Sequence, residues 1–347
     1  MLHHSVPAQA RPGAPTQRPL LPSRWPRLMA SSGTWVQREE AIMGTAIRVE
    51  LWCEQRRQGE AAVAAVMDEM HRIDRAMSPH HAGSELCRIN RLAAQQPVPL
   101  SDEMFELLDA ALHYSQLSDG AFDITYAGVG HLYDYRAGVR PSDAQIERAR
   151  AAVGWQGLEI DAAARCVRFA KKGMRIDLGG FAKGHAVDRC AALLRERGIC
   201  HAMVSAGGDS RVIGSRRGAR GGADDRPWSV AIRHPRQIDG VVAVLPLEDT
   251  SISTSGDYER YFDDGAERVH HLIDPATGRS PQHVHSVTVL AADGLASEAL
   301  SKAVFVMGPQ RGLALINSLD GIDAVVVDAQ GQLHTSQGLS HAAGSRA

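Results

Sequence analysis

At 347 residues the chain has room for one large domain or two, and its 44% hydrophobic and 22% charged residues are an ordinary balance for a globular protein. A formal net charge of −2 gives no electrostatic footprint for nucleic acid or an acidic membrane surface, and no apolar run approaches the ~18 residues that span a bilayer. Cys53, Cys87, Cys166, Cys190 and Cys200 are odd in number, scattered and never spaced Cys-x-x-Cys, which argues against a disulfide framework and a zinc site and leaves them as small apolar residues.

Residues 1–33 are expected to be a disordered, Pro/Arg-rich tail. Pro7, Pro12, Pro15, Pro19, Pro22 and Pro26 interrupt any helix, and no Asp or Glu precedes Glu39. The segment has arginines but no apolar h-region, so the sequence as written reads as cytoplasmic; with Met29 or another start in place of Met1, a periplasmic location stays open.

Order is expected over residues 34–340, with 341–347 a second short tail. Ala46–Trp52 alternates like a half-buried strand, just after Met43-Gly44-Thr45. Glu60–Ala76 carries Val63, Val66, Met67, Met70 and Ile73 at helical spacing. Ser84 is placed to cap a short helix through Asn90, and Asp102–Leu117 is a helix by the spacing of Met104, Leu107, Leu108 and Ala111. A short amphipathic helix lies within Pro141–Val153, with Ser142 near its start. Cys166–Ala170 reads as a strand and Ala186–Arg197 as a helix. Ala202–Ala206 is a strand that ends in a Gly-Gly turn. Gly218–Asp225 is a polar loop, followed by strands at Trp228–Arg233, Val241–Leu247 and Val287–Ala291. Ser297–Met307 is an apolar-faced helix, Gly312–Leu319 follows it, and Asp323–Val327 is the last core strand. No repeat recurs at a fixed period.

Asp177-Leu-Gly-Gly-Phe-Ala-Lys-Gly184 lies between an expected strand and an expected helix. In that setting backbone N–H groups can cradle an anion. Gly179 and Gly180 allow a tight turn and close approach of a ligand, and Lys183 adds a cation. The segment is neither Gly-x-Gly-x-x-Gly nor Gly-Lys-Ser/Thr, and alone it is equally a plain connection. Gly120–Thr125, Ala206–Asp209 and His271–Gly278 are similar loops. Each alone is a turn: Pro275 fixes φ and Gly278 supplies the reversal in Asp274-Pro-Ala-Thr-Gly, and His271 by itself is a structural histidine. Together, spread over about 160 residues, the four fit a ligand pocket assembled from several strand ends.

Taken together the segments resemble the ApbE family of FAD:protein FMN transferases, from about Met43 to Ser336. The carriers are Met43-Gly-Thr, Met77-Ser with Ser84-Glu-Leu-Cys-Arg-Ile-Asn, Gly120-Ala-Phe-Asp-Ile-Thr and Asp177-Leu-Gly-Gly-Phe-Ala-Lys-Gly. They continue with Ala206-Gly-Gly-Asp, Thr254-Ser-Gly-Asp-Tyr, His271-Leu-Ile-Asp-Pro-Ala-Thr-Gly and Val287-Thr-Val with its following helix. The resemblance implies an α+β protein, a single composite tunnelling-fold-like domain whose two sheet-containing lobes meet at a flavin pocket. It implies FAD as substrate and an acceptor flavoprotein as partner. FAD is split at its pyrophosphate, FMN passes to a Ser or Thr hydroxyl as a phosphoester, and AMP leaves. Such a reaction needs a cation on the pyrophosphate, donors on the phosphates and a base for the hydroxyl. The resemblance makes His271 the base. It puts flavin and phosphate contacts at Met43, His80, Ala121, Phe122, Asp123, Asp177, Gly179, Gly180, Lys183, Gly207, Gly208, Asp209 and Leu272. A hydrolase that gives FMN and AMP with water as acceptor, and a non-catalytic flavin-binding protein, are the alternative readings.

The resemblance further implies Mg²⁺, held by the carbonyl of Ala182 and by two oxygen ligands in an Asp-x-x-x-Thr pattern on the late helix. Those positions are Glu298 and Lys302 here, and an ammonium cannot ligate a cation. At about 4 Å and an effective dielectric of about 20, an ammonium and a dication repel by roughly 8 kcal/mol. The expectation is that Glu298 and the Ala182 carbonyl hold Mg²⁺, with substrate phosphates and Asp293 supplying further oxygens, while Lys302 turns aside. A second possibility is that the Lys302 ammonium stands where the metal's charge would be, and the plain alternative is an i,i+4 helix pair of about 0.2–0.5 kcal/mol. His80 stands where the family often has a flavin-stacking tyrosine, and it offers less stacking area.

Overall fold

The computed structural model describes residues 33–218 and 224–344. The chain enters its sheet through a hairpin, β1 (Thr34–Ile42) and β2 (Thr45–Cys53), paired antiparallel without a slip from Thr34↔Cys53 to Ile42↔Thr45. The two-residue loop has φ 55° at Met43 and 70° at Gly44. Two successive left-handed residues give the twist that a two-residue hairpin needs, and a methionine in that region is backbone strain held in place by the sheet.

Helix α1 (Arg56–Met77) follows, then α2 (Glu85–Leu92), β3 (Val98–Pro99) and α3 (Asp102–Leu117). Ser84 accepts from the Cys87 N–H and Ser101 from the Met104 N–H, so two of these helices start on serine caps. A 3₁₀ turn (Ile124–Tyr126), α4 (Ala127–Gly130) and α5 (Asp143–Arg150) come next, α5 with a full Ser142/Gln145 capping box. After β4 (Leu158–Asp161) and β5 (Cys166–Phe169), α6 (Ala182–Glu196) leads into β6 (Ala202–Ala206) and β7 (Asp209–Ile213). The remainder is β8 (Trp228–Arg233), β9 (Val241–Leu247), β10 (Ser251–Gly256), β11 (Tyr261–Asp264), β12 (Glu267–His270), β13 (Val284–Ala291), α7 (Gly294–Asn317), β14 (Asp323–Asp328), β15 (Leu333–Thr335) and α8 (Gln337–Gly344).

Eight strands form one antiparallel sheet in the order β1-β2-β6-β7-β10-β13-β14-β15. Helices α1, α6 and α7 lie on one face of it. The β8–β9 hairpin covers part of the other, where Trp228 and Leu247 pack with Val212, Ile252 and Leu290. A small sheet, β3-β5-β4, forms the second lobe. Its Val98, Val167 and Phe169 share a single core with Val49, Val66, Leu107 and Val187, so the lobes are not separately cored. The fold is α+β, as expected. Among the described residues no helix is long and apolar enough to cross a membrane.

Two contacts fix how α7 faces its neighbours. Ser253 and Ser255 of β10 pair with Ser297 and Ser301 of α7, each hydroxyl pair 2.8 Å apart and buried. This sets the rotation of the helix and sends the next residues, Glu298 and Lys302, towards α6. There the backbones touch: a Cβ on Gly294 would lie 2.5 Å from the Gly184 carbonyl oxygen, and one on Gly184 would strike the Gly294 carbonyl. Asp188 of α6 accepts from the Gly294 and Leu295 N–H groups and so caps α7 directly.

Several elements depart from the sequence pattern. Strand β1, with its Arg38-Glu39-Glu40 run, and β15 carry no clear alternation, and β10 hides its buried side behind serines. Helix α6 begins at Ala182, which puts Lys183 and Gly184 in its first turn and not in the preceding loop. The two late helical stretches are one element broken at Gly308 (φ 80°, ψ 173°), just before Pro309. The expected tails lie mainly outside the described residues, and α8 runs to Gly344.

Gly184→Ala should therefore drive α6 and α7 apart and cost about 1–3 kcal/mol, the usual penalty for overpacking. Thermal unfolding of the variant checks this, and an unchanged midpoint would contradict the close crossing.

Candidate active site

The site forms at one end of the sheet, around the N-terminus of α6. Lys183, in the first turn of that helix, donates to Asp209 at the start of β7 and to Glu298 Oε1 at 2.6 Å. Lys302, one turn along α7, donates to the same Oε1 at 3.1 Å. Glu298 Oε2 accepts from the Gly184 N–H at 2.6 Å. Glu298 is fully buried and Asp209 is 1% exposed, so two carboxylates and two ammoniums form a buried, charge-balanced quartet. Burial pushes the Glu298 carboxyl up, but the two lysines and the Gly184 N–H outweigh it and hold it ionised, below the usual carboxylate range. Burial pushes Lys302 down, and Lys183 repels it, so Glu298 only partly offsets the loss of water. Lys183, which has two carboxylate partners, ends above its ordinary value despite its burial.

The Asp177–Gly180 turn lies over this quartet. Asp177 Oδ1 accepts from the Gly179 N–H at 2.6 Å, and the Asp177 N–H donates to the Ile124 carbonyl, joining this loop to the Gly120–Thr125 loop. A Cβ on Gly180 would meet Lys302 Cε at 3.1 Å, so the lysine stem runs directly against the turn. The β6–β7 turn comes in from the side. A Cβ on Gly207 would meet Thr45 Oγ1 at 2.6 Å, and one on Gly208 the Thr254 carbonyl oxygen at 2.7 Å. The Gly207 N–H donates to Ala46 and the Gly208 carbonyl accepts from Thr254, which ties this turn to β2 and β10.

His271 follows β12, its N–H bonded to the Arg260 carbonyl. Its Nδ1 is buried with no hydrogen-bond partner among the described residues, which leaves Nε2 as the ring nitrogen that can meet a ligand. Burial, then His270 and the positive charges of Arg260, Lys302 and Lys183, push its pKa down to about 3. The imidazole is therefore neutral. Its neighbour His270 is structural: it donates and accepts through Ser280 and Pro281 and packs edge-on against Phe305.

The structure brings His271, Lys183, Asp209, Glu298, Lys302, Asp177 and the two Gly-Gly turns together, with Met43 in the hairpin turn beside them and His80 exposed on the turn after α1. Several of the other expected contact residues have partners within the protein. The Gly179 and Gly207 N–H groups are spent inside the protein, which leaves Gly180 and Gly208 as the turn donors without an intramolecular partner among the described residues. Asp123 is buried, and both its oxygens are used, by the Thr125 and Trp155 N–H groups. Phe122 is core, 5.3 Å from Phe181 between ring centroids, with Ala121 beside it in the same turn. Leu272 packs with Val287, Leu300 and Phe305. Asp293 caps α7, its Oδ1 accepting from the Ala296 N–H. The Asp274–Gly278 turn packs away from the quartet, against Val129 and Ile146. Arg260 gave no sequence signal. It is exposed, makes no ion pair among the described residues, lies over Gly44, and acts electrostatically on both Asp177 and His271.

The profile of the ApbE family matches residues 43–326. The chain belongs to the ApbE family. A FAD:protein FMN transferase of Treponema pallidum is 31% identical over 316 residues, covering 87% of this chain and 87% of its own. One of Salmonella typhimurium is 30% identical over 304 residues, 85% of this chain and 84% of its own. The crystal structure of an ApbE protein from Thermotoga maritima has a TM-score of 0.81 at 30% identity, covering 89% of this chain and 99% of that one. The flavin transferase ApbE of Vibrio cholerae has a TM-score of 0.78 at 26% identity, with the same coverage.

The donor set at the expected Mg²⁺ position does not fit a divalent cation. Glu298 has three N–H donors on its two oxygens, and Lys302 has not turned aside but points its ammonium at the carboxylate. Ala182, whose N–H bonds the Leu178 carbonyl, adds one backbone carbonyl at most, and Mg²⁺ takes six oxygens.

The low pKa of His271 has a sign. The folded protein keeps this ring neutral, while the unfolded chain takes up a proton as the pH falls through the ordinary value near 6.5. His271 therefore costs stability increasingly from there down to about 3. Its imidazole NMR signals, assigned by difference from His271→Ala, should stay in the neutral position between about pH 5 and 8. A titration with a midpoint near 6.5 would contradict the burial.

Proposed function

We propose that this chain is an FAD:protein FMN transferase that moves the FMN half of FAD onto a Ser or Thr hydroxyl of an acceptor flavoprotein. The observation that carries it is the meeting of a neutral, half-buried imidazole, that of His271, with the Lys302 ammonium beside a glycine turn. The relatives that bear this activity align with most of the chain.

The chemistry follows from the groups present. The FAD pyrophosphate lies at the Gly180 and Gly208 N–H groups, next to the Lys302 ammonium. The acceptor oxygen attacks the phosphorus on the flavin side, and the bond from that phosphorus to the bridging oxygen breaks. The electron pair leaves with AMP, and the proton of the acceptor hydroxyl passes to His271 Nε2. A base whose conjugate acid has a pKa of about 3 is weak. The incoming diphosphate carries negative charge into the place from which three cations depress the imidazole, and so raises its basicity when substrate is bound. On this reading Met43 and His80 take the flavin side, as the family resemblance implies.

FAD should bind more tightly than FMN, since only FAD offers the pyrophosphate, and fluorescence titration with each flavin checks it. Equal affinities would count against this pocket. With FAD and an acceptor flavoprotein, the acceptor should keep flavin fluorescence after denaturation. His271→Ala should lower that transfer about 100-fold or more while leaving FAD binding intact. Transfer at the normal rate in the variant would reject the base.

A further inference from the structure

Resting on the transferase reading, we propose that the ammonium of Lys302 is itself the cation of the pyrophosphate site, so that this chain binds FAD and transfers FMN without a divalent metal ion. The lysine is placed for this and not left to wander. Its stem lies against Gly180, its side chain is only 16% exposed, and its Nζ rests 3.1 Å from Glu298 Oε1. An ammonium has three N–H donors, and Lys302 uses one of them on the protein, so two remain for phosphate oxygens at the mouth of the turn. Lys183 differs, because two carboxylates hold it.

Charge balance points the same way. Lys183 and Lys302 offset Asp209 and Glu298 with nothing added. A dication in this place would face two ammoniums across a carboxylate that already carries three N–H donors. The hydroxyl pairs Ser253–Ser297 and Ser255–Ser301 prevent α7 from rotating to present other oxygens. As the phosphorus–oxygen bond breaks, negative charge grows on the bridging oxygen that leaves with AMP. The spare donors of Lys302 meet that charge, and the proton count is that of the His271 step alone.

The test compares FAD binding, followed by flavin fluorescence, for the full chain in chelator and in millimolar Mg²⁺. It is joined to calorimetric titration of Mg²⁺ alone and to transfer onto an acceptor flavoprotein in chelator. The wild-type protein should bind FAD equally in both conditions, give no saturable heat with Mg²⁺, and keep its transfer rate in chelator. Lys302→Thr should lose about tenfold or more in FAD affinity in chelator, the size of one charge-assisted hydrogen bond, and should gain a saturable response to Mg²⁺. Lys302→Arg keeps a cation and should remain chelator-resistant, which preserves the test if the threonine variant fails to fold. Wild-type FAD binding or transfer that collapses in chelator and returns with Mg²⁺ would overturn the inference while leaving the transferase reading intact. FAD that binds under neither condition would overturn both.

Discussion

One buried carboxylate holds the functional end of the molecule together. Glu298 accepts from Lys183, Lys302 and the Gly184 N–H, and is fully enclosed. An unpaired carboxylate in that position would be forced to take a proton or to unfold its surroundings. The start of α6, the first turns of α7 and the first residue of β7 are therefore bound into one electrostatic unit. The glycine crossing at Gly184 and Gly294 is what lets the two helices come close enough for this pairing. The serine pairs on β10 set the helix rotation that aims the carboxylate. Packing thus decides the chemistry: the same residues on helices spaced in the ordinary way would be separate surface ions.

The sheet contributes its tight turns. The Met43-Gly44 and Gly207-Gly208 turns sit side by side because β2 pairs with β6, and both are held in conformations that few residues tolerate. Strain is stored beside the pocket while the sheet behind it supplies the stability. The buried Nδ1 of His271 and the unpartnered Oδ1 of Asp209 are two further departures from a satisfied interior, and both lie at this end of the fold.

Much of this was legible in the sequence, and unevenly so. Helix α3 could be read to its ends because apolar residues recur at helical spacing behind a serine cap. Strand β10 could not, because its buried contacts are hydroxyl pairs that look like a polar loop. The loops that build the site stood out as clusters of glycine and acidic residues. A sequence does not show which backbone donors the fold consumes, and so Gly179 and Gly207 looked as available as Gly180 and Gly208. Asp123, Phe122 and Leu272 belong to the motif through the structure they hold up. Arg260 was invisible, since an exposed arginine in a polar stretch has no pattern of its own. Lys302 was recognisable as the wrong residue for a metal ligand, but only the geometry shows that it keeps its ammonium on Glu298.

The most direct measurement is a crystal structure of the protein with FAD bound, grown with Mg²⁺ in the drop. The expected result places the pyrophosphate on the Gly180 and Gly208 N–H groups, with Lys302 Nζ between a phosphate oxygen and Glu298, His271 Nε2 facing the flavin-side phosphorus, and no octahedral ion at Glu298. A magnesium ion on Glu298 with Lys302 swung into solvent, or a pyrophosphate bound away from these turns, would contradict it.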